Sequence, residues 1–239
     1  MKPRGGYRRA LLKLSGAAFA PAEGKGFDEG QVSYIARELA AGYQVCHELA
    51  LVIGGGNILR GARLRPEGAN RLLADYAGMI ATVLNALVLQ DGLRELGVPC
   101  RLYSALPVPP VAVAVDAERC RGDLSEGRVV ILAGGTGNPL FTTDTAAALR
   151  GVELEVEIVL KATRVDGVYS ADPEKHPDAR LFSRLTYCDV LNRALGAMDL
   201  CAVSLCMEHR LPVRVFNYRV EGNMRRALAG EPVGTLIGE

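Results

Sequence analysis

Three short apolar runs in this chain each end abruptly in a turn of small residues, and that repetition most narrows the folds open to it. Arg8–Leu14 runs into Ser15-Gly16, Leu49–Ile53 into Gly54-Gly55-Gly56-Asn57, and Arg128–Leu132 into Ala133-Gly134-Gly135-Thr136-Gly137. Continuous apolar runs of this length suit strands buried on both faces, which occur in parallel sheets covered by helices. The intervals between them are helix-sized. Asp28 with Gln31 predicts a capped helix to about Ala41, and Asn70–Leu96 predicts a long amphipathic helix closed by Gly97 and Pro99. Arg101–Ser104, Glu157–Lys161 and Val213–Phe216 are further predicted strands. The expectation is an α/β chain with a mainly parallel sheet, whose ligands lie beyond the carboxyl ends of the strands, where these turns converge.

The turns are built to hold an anion. Glycines let the main chain approach a ligand, Thr142 and Thr143 can donate to phosphate oxygens, and a helix predicted over Thr143–Arg150 would aim its first N–H groups at the same place. Lys13 and Arg60 stand beside two of the turns. Asp144 adds a negative charge where anion binding alone would not want one; it can orient a lysine, hold a hydrated Mg²⁺ or read a hydroxyl. An ordinary strand-to-helix loop capped by an Asp has the same local look. Two familiar phosphate motifs fail on spacing: no lysine follows these glycines in Walker register, and Leu59 and Leu140 occupy the third glycine positions of any dinucleotide fingerprint.

With 239 residues, 49% of them hydrophobic, and a formal charge of +1, the chain is expected to form one domain with a large core. No basic excess points to nucleic acid or to an anionic membrane. Met1–Arg9 precedes a strand instead of a signal-type apolar core, and no uncharged apolar run reaches membrane-span length, so a cytoplasmic protein is expected. The six cysteines form no Cys-x-x-Cys pair and are expected to be reduced thiols. A second cue follows the strand through Lys161 and Thr163: Asp166-Gly167 and Asp172-Pro173 are turn signals flanking Tyr169. That tyrosine suits stacking on a purine, or is a half-buried ring between two turn aspartates.

Taken together, Lys13-Leu14-Ser15-Gly16, Gly54-Gly55-Gly56-Asn57 with Arg60, Asp75 with Gly78-Met79, Gly135 through Asp144, Lys161-Ala162-Thr163 through Asp172-Pro173, Met198-Asp199-Leu200 and Leu211 through Asn217 stand in the order and spacing of the bacterial UMP kinases. The chain therefore resembles that family, part of the amino-acid kinase superfamily, over nearly its whole length. The resemblance implies a three-layer α/β/α sandwich, with an acceptor-binding part over about 1–150 and an ATP-binding part over about 151–239. It implies transfer of a phosphoryl group from ATP to UMP with Mg²⁺, in pyrimidine nucleotide biosynthesis, by a homohexamer under control of GTP and UTP. It assigns Lys13, Leu14, Ser15, Gly16, Gly56, Arg60, Thr163, Tyr169 and Asp172 to ATP. Gly55, Asp75 and the loop Thr136, Gly137, Asn138, Pro139, Leu140, Phe141, Thr142, Thr143 go to UMP. Lys13, Lys161, Asp144, Arg60 and Asp199 are the implied catalytic set, with Asp144 and Asp199 orienting lysines or hydrated metal, and Arg101 and Arg128 match positions that contact GTP.

The chain departs from the family pattern at Ala17, where Glu is common, and over Ala18–Gly26, a segment associated with effector response that here contains Pro21 and Lys25. Leu59 and Leu140 replace bulkier aromatics, a change expected to alter packing more than chemistry. Two rival readings share the architecture: a kinase for a carboxylate, carbamate or isoprenoid phosphate, and a non-enzymatic nucleotide-binding or oxyanion-storage protein. Asp75 argues against the first, and Lys13, Arg60, Lys161 and Asp144 together argue against the second.

Overall fold

The computed structural model describes residues 6–22, 24–59, 70–173, 175–193 and 195–239. In chain order the elements are β1 (Arg9–Leu14), a 3-10 turn (Gly16–Phe19), α1 (Glu29–Tyr43), β2 (Glu48–Ile53), α2 (Arg71–Glu95), β3 (Cys100–Ser104), β4 (Val113–Ala114), α3 (Ala117–Ser125) and β5 (Val129–Ala133). They continue with α4 (Thr143–Glu153), β6 (Ile158–Thr163), β7 (Arg184–Thr186), α5 (Tyr187–Arg193), α6 (Leu200–Glu208), β8 (Val213–Asn217), α7 (Asn223–Leu228) and β9 (Thr235–Gly238). The strands form one nine-stranded sheet in the order β4-β3-β5-β2-β1-β6-β8-β9-β7. Every pairing is parallel except β8 with β9. The sheet runs unbroken past residue 150, because β1 pairs directly with β6.

Alternation along the strands divides the core into two layers. Ala10, Leu12, Leu14, Ile158, Leu160 and Ala162 pack on one side with residues of α1, α2 and α7. Leu11, Ala50, Val52 and Val159 pack on the other with α3, α4 and α6. The result is a three-layer α/β/α sandwich. Asp28 caps α1 by accepting the Gln31 N–H at 2.8 Å, but the reciprocal half of the capping box is not made, since the Asp28 N–H donates to the Phe19 carbonyl at 2.9 Å.

α2 is a core helix of unusual composition. By length and composition it is apolar enough to cross a membrane. In the fold it is a core helix, lying on β3 and β5 and against α1, with Asn85 and Gln90 among its buried residues. Its outer side carries an exposed row, Leu73, Tyr76, Ile80 and Leu84.

β9, inserted between β8 and β7, governs the loop after β6. The Thr235 hydroxyl donates to the Phe182 carbonyl at 2.5 Å and accepts the Val168 N–H at 2.8 Å. At Gly234, which has φ +68°, an added Cβ would lie 2.0 Å from the Val215 carbonyl oxygen, so only glycine fits the entry to this strand.

A buried pair of amides ties α2 to the turn after β2. Asn57 Nδ2 donates to Asn85 Oδ1 at 3.1 Å, Asn85 Nδ2 donates to Asn57 Oδ1 at 2.7 Å and to the Gly54 carbonyl at 2.6 Å, and Asn57 Nδ2 also reaches the Gly26 carbonyl at 2.9 Å. Both side chains are almost wholly inaccessible. Asn85→Ala removes the donor to Asn57 Oδ1 and to the Gly54 carbonyl, so it should destabilise the protein by about 1–3 kcal/mol for each orphaned group. Denaturant unfolding of the variant checks this, and wild-type stability would remove the amide pair as the tie.

Candidate active site

The register of β1 against β6 sets Lys13 opposite Lys161, and both point to the layer that holds α4. α4 begins beneath them, with Asp144 in its first turn. Lys161 Nζ donates to Asp144 Oδ2 at 2.6 Å, while Lys13 Nζ stands 2.8 Å from Oδ1 as an ion pair that lacks hydrogen-bond alignment. The side chains of all three are largely buried. Burial pushes the Asp144 carboxyl up, but the two ammoniums outweigh it and hold the group below the usual carboxylate range. Burial also dominates at Lys161, where with Lys13 it outweighs the pull of Asp144 and holds the ammonium below its ordinary value.

Asp199 stands at the start of α6 beside this group. It caps α6 by accepting the Ala202 N–H at 2.9 Å, and it accepts the hydroxyls of Thr142 and Thr145. Its negative field favours the Lys161 ammonium, yet its oxygens are committed to the start of α4, so it positions Asp144 through the helix instead of gripping either lysine. Thr142 is the N-cap of that helix, accepting the Asp144 N–H at 3.0 Å.

The strand-end turns press together as the sequence leads one to expect. The Gly54 N–H donates to the Leu14 carbonyl at 2.8 Å, and a Cβ on Gly16 would lie 2.4 Å from Asn57 Oδ1 and 2.6 Å from the Gly56 nitrogen. Leu14 itself is fully buried, so its side chain serves the core and only its main chain belongs to the turn. Ser15 sits as N-cap of the 3-10 turn without bonding it through its side chain. Arg60 lies outside the described residues.

Two cavities open from this junction. One, of about 480 Å³, is walled by Lys161, Thr163, Val168, Tyr169, Asp172 and Ala197, which brings the predicted donor residues Thr163, Tyr169 and Asp172 together. The other, of about 420 Å³, is walled by Gly55, Gly56, Asp75, Asn138, Phe141 and Thr143 among others. Thr136, Gly137, Pro139 and Leu140 shape the loop behind it. The Thr136 hydroxyl donates to the Asn138 carbonyl at 3.1 Å and accepts its N–H at 3.2 Å, and the Gly137 N–H donates to the Gly134 carbonyl at 3.0 Å.

Asp75 is already engaged. Arg71 Nε donates to both of its oxygens at 3.0 Å, and the Leu140 N–H donates to Oδ2 at 3.0 Å. Leu140 holds φ 75°, an uncommon conformation for a bulky residue, so the carboxylate secures the loop at its most strained point. Arg71 escaped the sequence reading; its place four residues before Asp75 on a predicted helix was the available signal.

Arg101 and Arg128 meet away from these cavities on one buried carboxylate, Asp123, at 3.4 and 2.8 Å. The Tyr103 hydroxyl donates to the same group at 2.6 Å, and burial, followed by that bond, pushes the phenol up to about 12. Arg128 also pairs with Glu126.

Among the described residues no three His, Cys, Asp or Glu side chains gather as a metal site, and the oxygens of Asp144 face two ammoniums. The residues at the junction thus fit phosphate better than they fit a resident metal ion.

Comparison with known proteins follows the same line. Residues 8–217 match the model of the amino acid kinase family. The uridylate kinase of Vibrio cholerae is 48% identical over 237 residues, covering 99% of this chain and 98% of that protein. The uridylate kinase of Yersinia enterocolitica is 50% identical over 231 residues, covering 97% and 93%. The crystal structure of UMP kinase from Bacillus anthracis superposes with a TM-score of 0.94 at 36% identity, covering 98% of this chain and 96% of that one.

The charge arrangement sets a pH dependence. Because Asp144 is held below the ordinary carboxylate range when folded, the unfolded chain takes up its proton first as pH falls. Its stabilising share is complete above the unfolded carboxyl's range and is lost as pH falls from there through the lower folded value. Asp144→Asn leaves two buried ammoniums without a counter-charge and should cost about 3–5 kcal/mol at pH 7. In urea unfolding from pH 7 to 3, the gap between wild type and variant should narrow at the acid end, and a gap constant with pH would refute the buried ion-pair account.

Proposed function

Since this chain belongs to the amino acid kinase family, with uridylate kinases as relatives along its whole length, we propose that it transfers the γ-phosphoryl group of ATP to UMP, giving ADP and UDP. The observation that carries this is the Lys13–Asp144–Lys161 triad at the junction of two cavities: Lys161 walls one, and Thr143, which walls the other, is followed directly by Asp144. A donor in the first and an acceptor in the second would meet over the lysines.

The chemistry asks little else of the protein. Phosphoryl transfer needs the reacting oxygens held in line and the spreading negative charge neutralised. Lys13 and Lys161 supply positive charge that is fixed before substrate arrives, because Asp144 holds both ammoniums and the sheet holds both stems. The first turn of α4 turns its N–H groups toward the same point. No protein nucleophile or base is required. Mg²⁺ is proposed to arrive on the ATP phosphates, where it would add charge neutralisation.

For the acceptor, the loop 136–143 is proposed to pair with uracil, and Asp75 to accept a ribose hydroxyl while it secures Leu140. Uracil offers the O4 acceptor and the N3 donor where cytosine offers the reverse, so CMP would leave about two groups unpaired at roughly 1–3 kcal/mol each. GTP and UTP are proposed as effectors, with Arg101 and Arg128 at the GTP contact, although Asp123 already engages both. The exposed row on α2 supports self-association, proposed to be a homohexamer, and the setting is proposed to be the cytoplasm.

Purified protein with Mg-ATP should release ADP in a UMP-dependent manner in a coupled assay. Lys13→Ala and Lys161→Ala should each lower kcat by about 10²–10³-fold, the scale for losing one preorganised stabiliser of transition-state charge. ATP binding without UMP-dependent turnover would move the protein to the nucleotide-binding class.

Recognition of the base has its own readout. The kcat/KM for CMP should fall below that for UMP by at least about 10²-fold, and comparable values would remove the uracil-pairing loop.

A further inference from the structure

One wall of the cavity that Lys161 and Thr163 line is a ribbon lying outside the nine strands. Val168–Ser170 runs antiparallel to Arg180–Phe182: Tyr169 bridges Leu181, the Ser170 N–H donates to the Arg180 carbonyl and the Phe182 N–H to the Val168 carbonyl, both at 2.9 Å, and the Arg180 N–H donates to Ser170 Oγ at 3.0 Å. Val168, Tyr169 and Ser170, with Asp172 just beyond, line the cavity. These bonds hold the two segments to each other. They do not hold the ribbon to the sheet.

Thr235, the first residue of β9, fastens both segments. Its hydroxyl accepts the Val168 N–H at 2.8 Å from one and donates to the Phe182 carbonyl at 2.5 Å on the other, so a single oxygen closes the base of the ribbon. The ribbon sits close on it, since a Cβ on Gly167 would lie 2.4 Å from that oxygen. Thr235 is wholly inaccessible and is not among the residues walling the cavity, so it acts on a ligand only through Val168 and its neighbours. We propose that Thr235 is a positioning residue for the nucleotide donor: its hydroxyl holds the ribbon where ATP requires it and leaves the acceptor side untouched. The inference rests on the reading of this cavity as the donor side.

Without the hydroxyl, the Val168 N–H and the Phe182 carbonyl would face an alkyl group in a dry interior, which costs more than letting the ribbon swing out until both find water. A ligand that needs the inward position then binds more weakly, in proportion to the fraction of chains that keep it. Once ATP is seated the wall is back in place, so the transfer step is spared. The other cavity supplies a comparison. Thr82, also buried, accepts the Gly134 N–H and donates to the Met79 carbonyl, both at 2.7 Å, and lines the cavity that holds Asp75. Two hydroxyls with the same bonding pattern thus serve two different walls.

Thr235→Val keeps the shape of the side chain and removes the hydroxyl. In calorimetric titrations it should raise the Kd for ATP by about tenfold, the scale of one unmade buried hydrogen bond, and the KM for ATP should rise with it. Its Kd for UMP, and its kcat with both substrates saturating, should stay at the wild-type values. Thr235→Ser restores the oxygen and should restore ATP binding, while Thr82→Val should weaken UMP and spare ATP. Thr235→Val weakening both nucleotides alike, or lowering kcat with the KM for ATP unchanged, would reduce the hydroxyl to ordinary packing and overturn the proposal. Thermal melts establish which variants are folded. If Thr235→Val does not fold, Gly167→Ala lifts the ribbon from the same oxygen without altering Thr235 and should raise the Kd for ATP alone; wild-type ATP affinity in folded Gly167→Ala would overturn the proposal. A wild type that binds both nucleotides without UMP-dependent ADP release would refute the kinase reading and leave the affinity pattern to decide the role of Thr235, and no ATP binding to wild type would overturn both.

Discussion

The register between β1 and β6 is the constraint on which the site depends. Lys13 and Lys161 are directly paired, and their neighbours Leu12, Leu14, Leu160 and Ala162 face the opposite core. A slip of one residue in either strand would drive an ammonium into that apolar layer and expose a leucine or alanine to the site. The sheet thus keeps two like charges adjacent, which is tolerable only because a carboxylate stands between them. Asp144 comes from a helix tied to α6 through Asp199, Thr142 and Thr145. The electrostatics of the centre are therefore set by packing between α4 and α6 as well as by the strands.

Close approach of main chains does the rest. Gly16 and Gly54 allow the turns after β1 and β2 to touch, and at Gly55 an added Cβ would come within 2.7 Å of the Gly78 carbonyl oxygen on α2. Small residues here let the cavity walled by Gly55, Gly56 and Asp75 reach down to the turn after β2.

Much of this was legible in the sequence because it is local. An apolar run ending in glycines identifies a strand and its turn, and Asp28 and Thr142 sit where caps belong. The sequence could not reveal pairings between distant residues. Asn85 reads as a polar interruption of an apolar helix, Asp123 as an ordinary surface carboxylate, and Asp199 as a carboxylate whose hydroxyl partners Thr142 and Thr145 the sequence does not show. Each takes its meaning from partners that only the fold supplies. The short strands β4, β7 and β9 were also invisible, since two to four residues carry no periodicity and their stability comes from neighbours. α2 differs from the amphipathic helix expected there: its outward side carries Leu73, Tyr76, Ile80 and Leu84 where a polar face would stand.

The late position of β9 in the chain has a consequence for how the protein comes into being. Val168 walls the cavity that Lys161, Thr163 and Tyr169 line, and its N–H is held by Thr235, some seventy positions downstream. The sheet from β3 to β6 can assemble as those strands emerge during synthesis, but this cavity lacks its outer brace until β9 has left the ribosome and threaded between β8 and β7. Order of synthesis thereby separates the two cavities in time: the one walled by Gly55 and Asp75 can form on the nascent chain, whereas the one walled by Val168 must wait for strand insertion.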